Sequence, residues 1–104
     1  MLVTREFVLI SEFERKWNSL GLKDIDLKRL QEDLLLNPES GAVMRGTGGL
    51  RKYRFAFTGR GKSGSVRVCY LDIPTCEKLF LITVYCKGEK ENLTDEETGV
   101  VSLK

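Results

Sequence analysis

Phe7-Val8-Leu9-Ile10 is an unbroken apolar run flanked by charged residues, the pattern of a short buried strand. Ser11 follows as a candidate helix cap, and Phe13, Trp17 and Leu20 recur at helical spacing up to Gly21, so a first helix closes there with Trp17 as a core anchor. Asp24 or Asp26 starts a second helix. Its Leu27, Leu30, Leu34 and Leu35 form an apolar stripe opposite Lys28, Glu32 and Asp33, and Asn37-Pro38 stops it. Two amphipathic helices joined by a short connection need a common surface for their leucines, and the rest of the chain supplies a sheet.

After Gly46, Gly48 and Gly49 the period falls from 3.6 to 2. Residues 50–57 alternate Arg51, Tyr53, Phe55 and Phe57 with Leu50, Lys52, Arg54 and Ala56, so Lys52 and Arg54 point the same way from a strand whose other face is aromatic. A turn over residues 58–64, a strand over 65–73, a turn around Pro74-Thr75-Cys76 and a strand over 78–86 complete an antiparallel meander. Thr94 and Glu97 have the spacing of a capping box and could open a last helix, which would be short. The expected fold class is α+β: an N-terminal strand and a two-helix hairpin packed on a small twisted antiparallel sheet, with the C-terminal helix short or missing, in a single domain spanning residues 1–104.

Composition narrows the chemistry. The 104 residues are 41% hydrophobic and 31% charged, which suits one globular core, and no stretch approaches the roughly 18 apolar residues of a membrane helix. The early acidic residues of the amino terminus argue against a secretory leader, so a cytoplasmic location is expected, with no membrane partner. There is no histidine, and the three cysteines, at 69, 76 and 86, are odd in number, so neither a disulfide framework nor a zinc site is indicated and the thiols are expected to be reduced. Catalysis through imidazole is excluded; lysine, arginine, tyrosine or carboxylates must act instead.

The net charge of +2 conceals a segregation. Residues 45–70 carry Arg45, Arg51, Lys52, Arg54, Arg60, Lys62 and Arg67 and no acid, where an even distribution would place about four. Such a stretch is an electrostatic footprint for a polyanion, although lysines and arginines also serve to protect sheet edges. Two local motifs do not change the picture. Residues 56–63, AFTGRGKS, fit a relaxed phosphate-loop pattern, but the next residues read as a strand, whereas that loop must open into a helix. Asn92-Leu93-Thr94 matches a glycosylation acceptor that a cytosolic chain never uses.

Lys52, Arg54 and Arg67 on adjacent strands, with Lys87 and Lys90 after the last strand, provide what RNA cleavage through the 2'-hydroxyl requires. One group withdraws the hydroxyl proton, guanidinium groups hold the phosphorane charge, and another group protonates the departing 5'-oxygen; no metal or cofactor enters. Crowded lysines lose proton affinity, which makes Lys52 the candidate base, with Arg54 and Arg67 as charge stabilisers.

Three blocks carry a family resemblance: GTGGLRKYR at 46–54, GKSGSVRVCY at 61–70 and LITVYCKGEKENLT at 81–94. In order and spacing they resemble the signature blocks of RelE/HigB-type toxins of bacterial type II toxin-antitoxin modules, across most of the chain. The resemblance implies a small sheet backed by two N-terminal helices and a ribosome-dependent, metal-independent messenger RNA endonuclease that blocks translation. It also implies a cognate antitoxin, in the HigB branch usually a helix-turn-helix protein, through which alone the toxin meets operator DNA. By position, Lys52 and Arg54 match the two basic positions of the family's first central strand, Arg67 the arginine of the next, and Lys87 and Lys90 the basic segment after the last strand; Lys52, Arg54, Arg67 and Lys87 are the expected catalytic residues, and Arg51, Arg60, Lys62 and Lys90 the expected RNA contacts. The chain departs from the family where an arginine is expected after Lys87, which is Gly88 here, and no tyrosine follows Tyr85. The longer terminal helix common in the family is lacking, as in a truncated or shortened toxin. Two other functions share this scaffold: a ParE-like inhibitor that binds gyrase, and a catalytically inactive RNA-binding relative. The acid-free window favours the nuclease over a protein target.

Overall fold

The structure is a computed structural model and describes residues 4–59 and 62–86. Five strands and two helices follow in the order β1 (Glu6–Leu9), α1 (Ser11–Ser19), α2 (Asp24–Leu36), β2 (Ala42–Val43), β3 (Arg51–Gly59), β4 (Lys62–Ile73), a single 3-10 turn at Pro74–Cys76, and β5 (Lys78–Cys86). They form one sheet of order β1-β5-β4-β3-β2. The meander β3-β4-β5 is antiparallel as the alternation requires, whereas β1 runs parallel to β5, with Glu6 opposite Lys78 and Leu9 opposite Leu81. The sheet is therefore mixed rather than antiparallel throughout. The cause is topological: β3 and β5, the first and last strands of the meander, share one direction, and β1 docks on the free edge of β5 in that same direction.

Local chemistry sets the helix ends. Ser11 is the first residue of α1 rather than its cap, and Ile10 holds the cap position without a side-chain hydrogen bond. At the other end Gly21, at φ +80°, lets its own N–H reach the carbonyl of Asn18 while the N–H of Leu22 reaches that of Trp17, closing a Schellman motif. The Asp26 carboxylate accepts the N–H of Lys23 at 2.9 Å at the start of α2.

Phe13, Trp17, Leu30 and Leu34 from the helices meet Phe55, Val66, Val68, Tyr70, Leu79, Leu81 and Val84 from the sheet in the main core. Trp17 lies 5.4 Å from Phe13 and 6.0 Å from Phe55, ring centre to ring centre, as its expected anchor role requires. Polar fasteners tie the layers: Tyr53 Oη donates to Asp33 at 3.1 Å, and Tyr70 Oη donates to the Pro38 carbonyl at 2.7 Å while accepting the Gly41 N–H at 2.9 Å. Arg5 makes a two-pronged ion pair with Asp72, with Nε at 2.6 Å and Nη2 at 3.2 Å, fastening the chain ahead of β1 to β4.

The β3-β4 hairpin extends further than the glycines suggested. β3 continues to Gly59 and β4 begins at Lys62, and Gly59 pairs with Lys62. Strand β2 was not legible in the alternation because it has only two residues, pairing Ala42 with Lys52 and Val43 with Arg51. The proposed last helix at Thr94 and Glu97 lies outside the described residues. Among the described residues no helix is long and apolar enough to cross a membrane.

Candidate functional site

The sheet face turned away from the helices follows directly from register. Tyr53, Phe55 and Phe57 pack on the main core, so the intervening Lys52, Arg54 and Ala56 face the other way. On that side Arg54 stands directly opposite Arg67, which stands directly opposite Tyr85; one row along, Lys52 faces Cys69 and Cys69 faces Thr83. The three cations expected from the sequence thus occupy two adjacent rows of a single surface.

A bulge shapes this surface. The β4-β5 register passes from Cys69↔Thr83 to Tyr70↔Leu81, so Ile82 is an extra residue in β5. Leu81 points into the main core, whereas Ile82 joins Leu50 in a second apolar cluster with Met44, Leu71 and Phe80. The extra residue restores Thr83 and Tyr85 to the face of Arg67, so the bulge divides this side of the sheet into an apolar end and a cationic end.

Arginines directly opposite one another on neighbouring strands repel, their Cβ atoms being about 4.5–5.5 Å apart. Among the described residues the ion pairs are Arg5–Asp72, Lys16–Glu12 and Lys78–Glu6, so none neutralises Lys52, Arg54 or Arg67. Arg54 is exposed, and Lys52 and Arg67 are half-buried. Arg67 Nη1 and Thr83 Oγ1 are buried without a hydrogen-bond partner among the described residues. Burial pushes the Cys69 thiol up from 9.0 to about 11 against the opposing pull of Lys52, so it remains a protonated thiol at neutral pH and is no nucleophile. The described residues contain no group of three or more metal-ligating side chains. What this surface can do is bind an anion with fixed guanidinium and ammonium groups and stabilise negative charge that develops on it.

Arg51 lies elsewhere. It is paired with Tyr70 on the helix-facing side, and its Nη1 donates to the carbonyls of Gly41 at 2.7 Å and Glu39 at 3.3 Å, holding the loop before β2. Lys62 begins β4, and Arg60, Lys87 and Lys90 lie outside the described residues, as does the position of Gly88. Alternation alone did not identify Thr83 or Tyr85, because the bulge at Ile82 interrupts the period. The signal available was the two hydroxyls, of Thr83 and Tyr85, two residues apart in the otherwise apolar run LFLITVYC.

No family model matches the chain. Among solved structures it is similar to a variant of the E. coli toxin RelE, with two arginines replaced by alanine, in the free state. The TM-score is 0.58 and the identity 17%, over 99% of this chain and 96% of that one. A likeness at that identity establishes a shared architecture: two helices on a five-stranded mixed sheet make this a RelE-like fold.

Proposed function

We infer that the chain is the toxin of a toxin-antitoxin module, a RelE/HigB-type endoribonuclease that cuts messenger RNA at the ribosome and is silenced by a cognate helix-turn-helix antitoxin. The observation that carries this reading is the row in which Arg54 faces Arg67, with Lys52 beside them and no carboxylate paired to any of the three among the described residues. A like-charge pair held on one rigid face costs stability unless an anion is bound there, and a phosphodiester supplies that anion. The RelE-like architecture and the three sequence blocks support the same assignment.

In the proposed reaction Lys52 takes the proton of the 2'-hydroxyl, the oxygen attacks the adjacent phosphorus, and Arg54 and Arg67 hold the charge of the phosphorane until the 5'-oxygen departs with a proton. Lys87 completes the catalytic set, and Arg60, Lys62 and Lys90 extend the cationic path along the RNA. Arg51, engaged with two backbone carbonyls, serves the fold in this reading.

Induced expression in bacteria tests the assignment. The parent chain is expected to arrest growth, stop translation and leave transcripts cut within their coding regions. Arg67→Ala and the double change Lys52→Ala with Arg54→Ala should be harmless while keeping the parent's circular dichroism and melting at or above its Tm. A fully toxic double variant would remove the site, and arrest with DNA damage but intact transcripts would assign the fold to gyrase inhibition instead.

A further inference from the structure

Arg67 Nη1 and Thr83 Oγ1 are the two buried side-chain polar atoms of the described residues that have no hydrogen-bond partner, and they belong to the same sheet face. Thr83 is opposite Cys69 and Arg67 opposite Tyr85, so the two are diagonal neighbours across β4 and β5, about 7–8 Å apart at their backbones, a span an arginine side chain covers. Thr83 is 1% exposed, so bulk water does not satisfy its hydroxyl. Valine has the same shape, suits a strand equally well and would bury no polar atom, so the hydroxyl weakens the free fold.

The chemistry of the two orphans is complementary to one ligand atom. A guanidinium nitrogen only donates, and a threonine hydroxyl can donate while it rotates. A single oxygen with several lone pairs satisfies both at once, and an anionic oxygen complements the guanidinium charge. On the reading of this face as an RNA-cleaving site, we propose that Thr83 is a further phosphate-contacting residue, its hydroxyl and Arg67 Nη1 both donating to the same non-bridging oxygen of the scissile phosphodiester. Both atoms are covered in the free chain, so the oxygen reaches them only as overlying side chains yield. Arg54 then holds the phosphate from the exposed side, and the two arginines no longer confront each other without a counter-charge.

The test uses the full chain with Thr83→Val and Thr83→Ser. Inorganic phosphate should raise the Tm of the parent and of Thr83→Ser in a saturable way, with the response of Thr83→Val at least tenfold weaker, while Thr83→Val alone melts at or above the parent. In single-turnover cleavage on programmed ribosomes, Thr83→Val should be slowed tenfold or more and Thr83→Ser by less than threefold. An equal phosphate response in Thr83→Val overturns the proposal, as does cleavage by that variant at the parent rate. A parent that binds phosphate through Thr83 yet leaves transcripts whole would refute the nuclease assignment and leave the anion pair standing.

Discussion

Cys69 shows how one position serves the fold beneath a charged surface. It lies between Lys52 and Thr83 in the cross-strand row, fully buried, and its thiol is neutral because burial outweighs the attraction of the lysine. Its pKa is raised on folding, so the associated stability is fully present below pH 9 and is lost as the pH climbs to about 11. Two pH units correspond to about 3 kcal/mol. Burial raises Tyr53 and Tyr70 as well, so their contributions also disappear at high pH. Urea midpoints should fall steeply above pH 9, and Cys69→Ala should flatten the first part of that decline and remove a thiolate absorbance step near pH 11. Gly41 is constrained from outside: a Cβ there would stand 2.9 Å from the Lys52 carbonyl oxygen and 2.9 Å from the Tyr70 ring. Gly41→Ala should therefore cost about 1–3 kcal/mol in urea unfolding, because backbone on one side and a buried ring on the other leave little room to yield.

The elements divide by whether their cause is local. Trp17, Leu30 and Leu34 announce their helices because periodicity and burial coincide, and Lys52 and Arg54 announce their shared face because β3 alternates without interruption. Three features depend on long-range pairing and leave no periodic trace: the parallel sense of β1, the two-residue β2 and the extra residue Ile82. The bulge in particular conceals Thr83 and Tyr85, since a period-2 reading carried through Ile82 assigns every later side chain of β5 to the wrong face. The contact between Arg5 and Asp72 is equally invisible in the sequence, yet it fastens the edge that β1 forms. Arg5→Ala leaves the part-buried Asp72 without its partner and should lower stability by about 1–3 kcal/mol, whereas Arg5→Lys should recover only part of that because it lacks the second prong. Chemical denaturation of the two variants side by side checks the order.

At the scale of the molecule, one face of the sheet closes the core and the other presents cations, and on the proposed nuclease reading affinity for RNA is governed by counterion release. Binding to single-stranded RNA is expected to weaken linearly on a log-log plot against salt, and Arg67→Ala should lower the slope by about 0.7, the share of one phosphate contact. An unchanged slope would place Arg67 away from the backbone of the RNA. The same architecture has a kinetic side. Strand β1 pairs only with β5, at the opposite end of the described chain, while the β3-β4-β5 meander is built from neighbours in sequence. As the polypeptide emerges from the exit tunnel, Phe7, Val8 and Leu9 must wait without a docking strand until residue 81 has been synthesised, and this late, high-contact-order closure should be the slowest refolding event. Until it is complete an apolar segment is open to chaperones and to self-association, so the hazards of this chain begin before it has a finished fold.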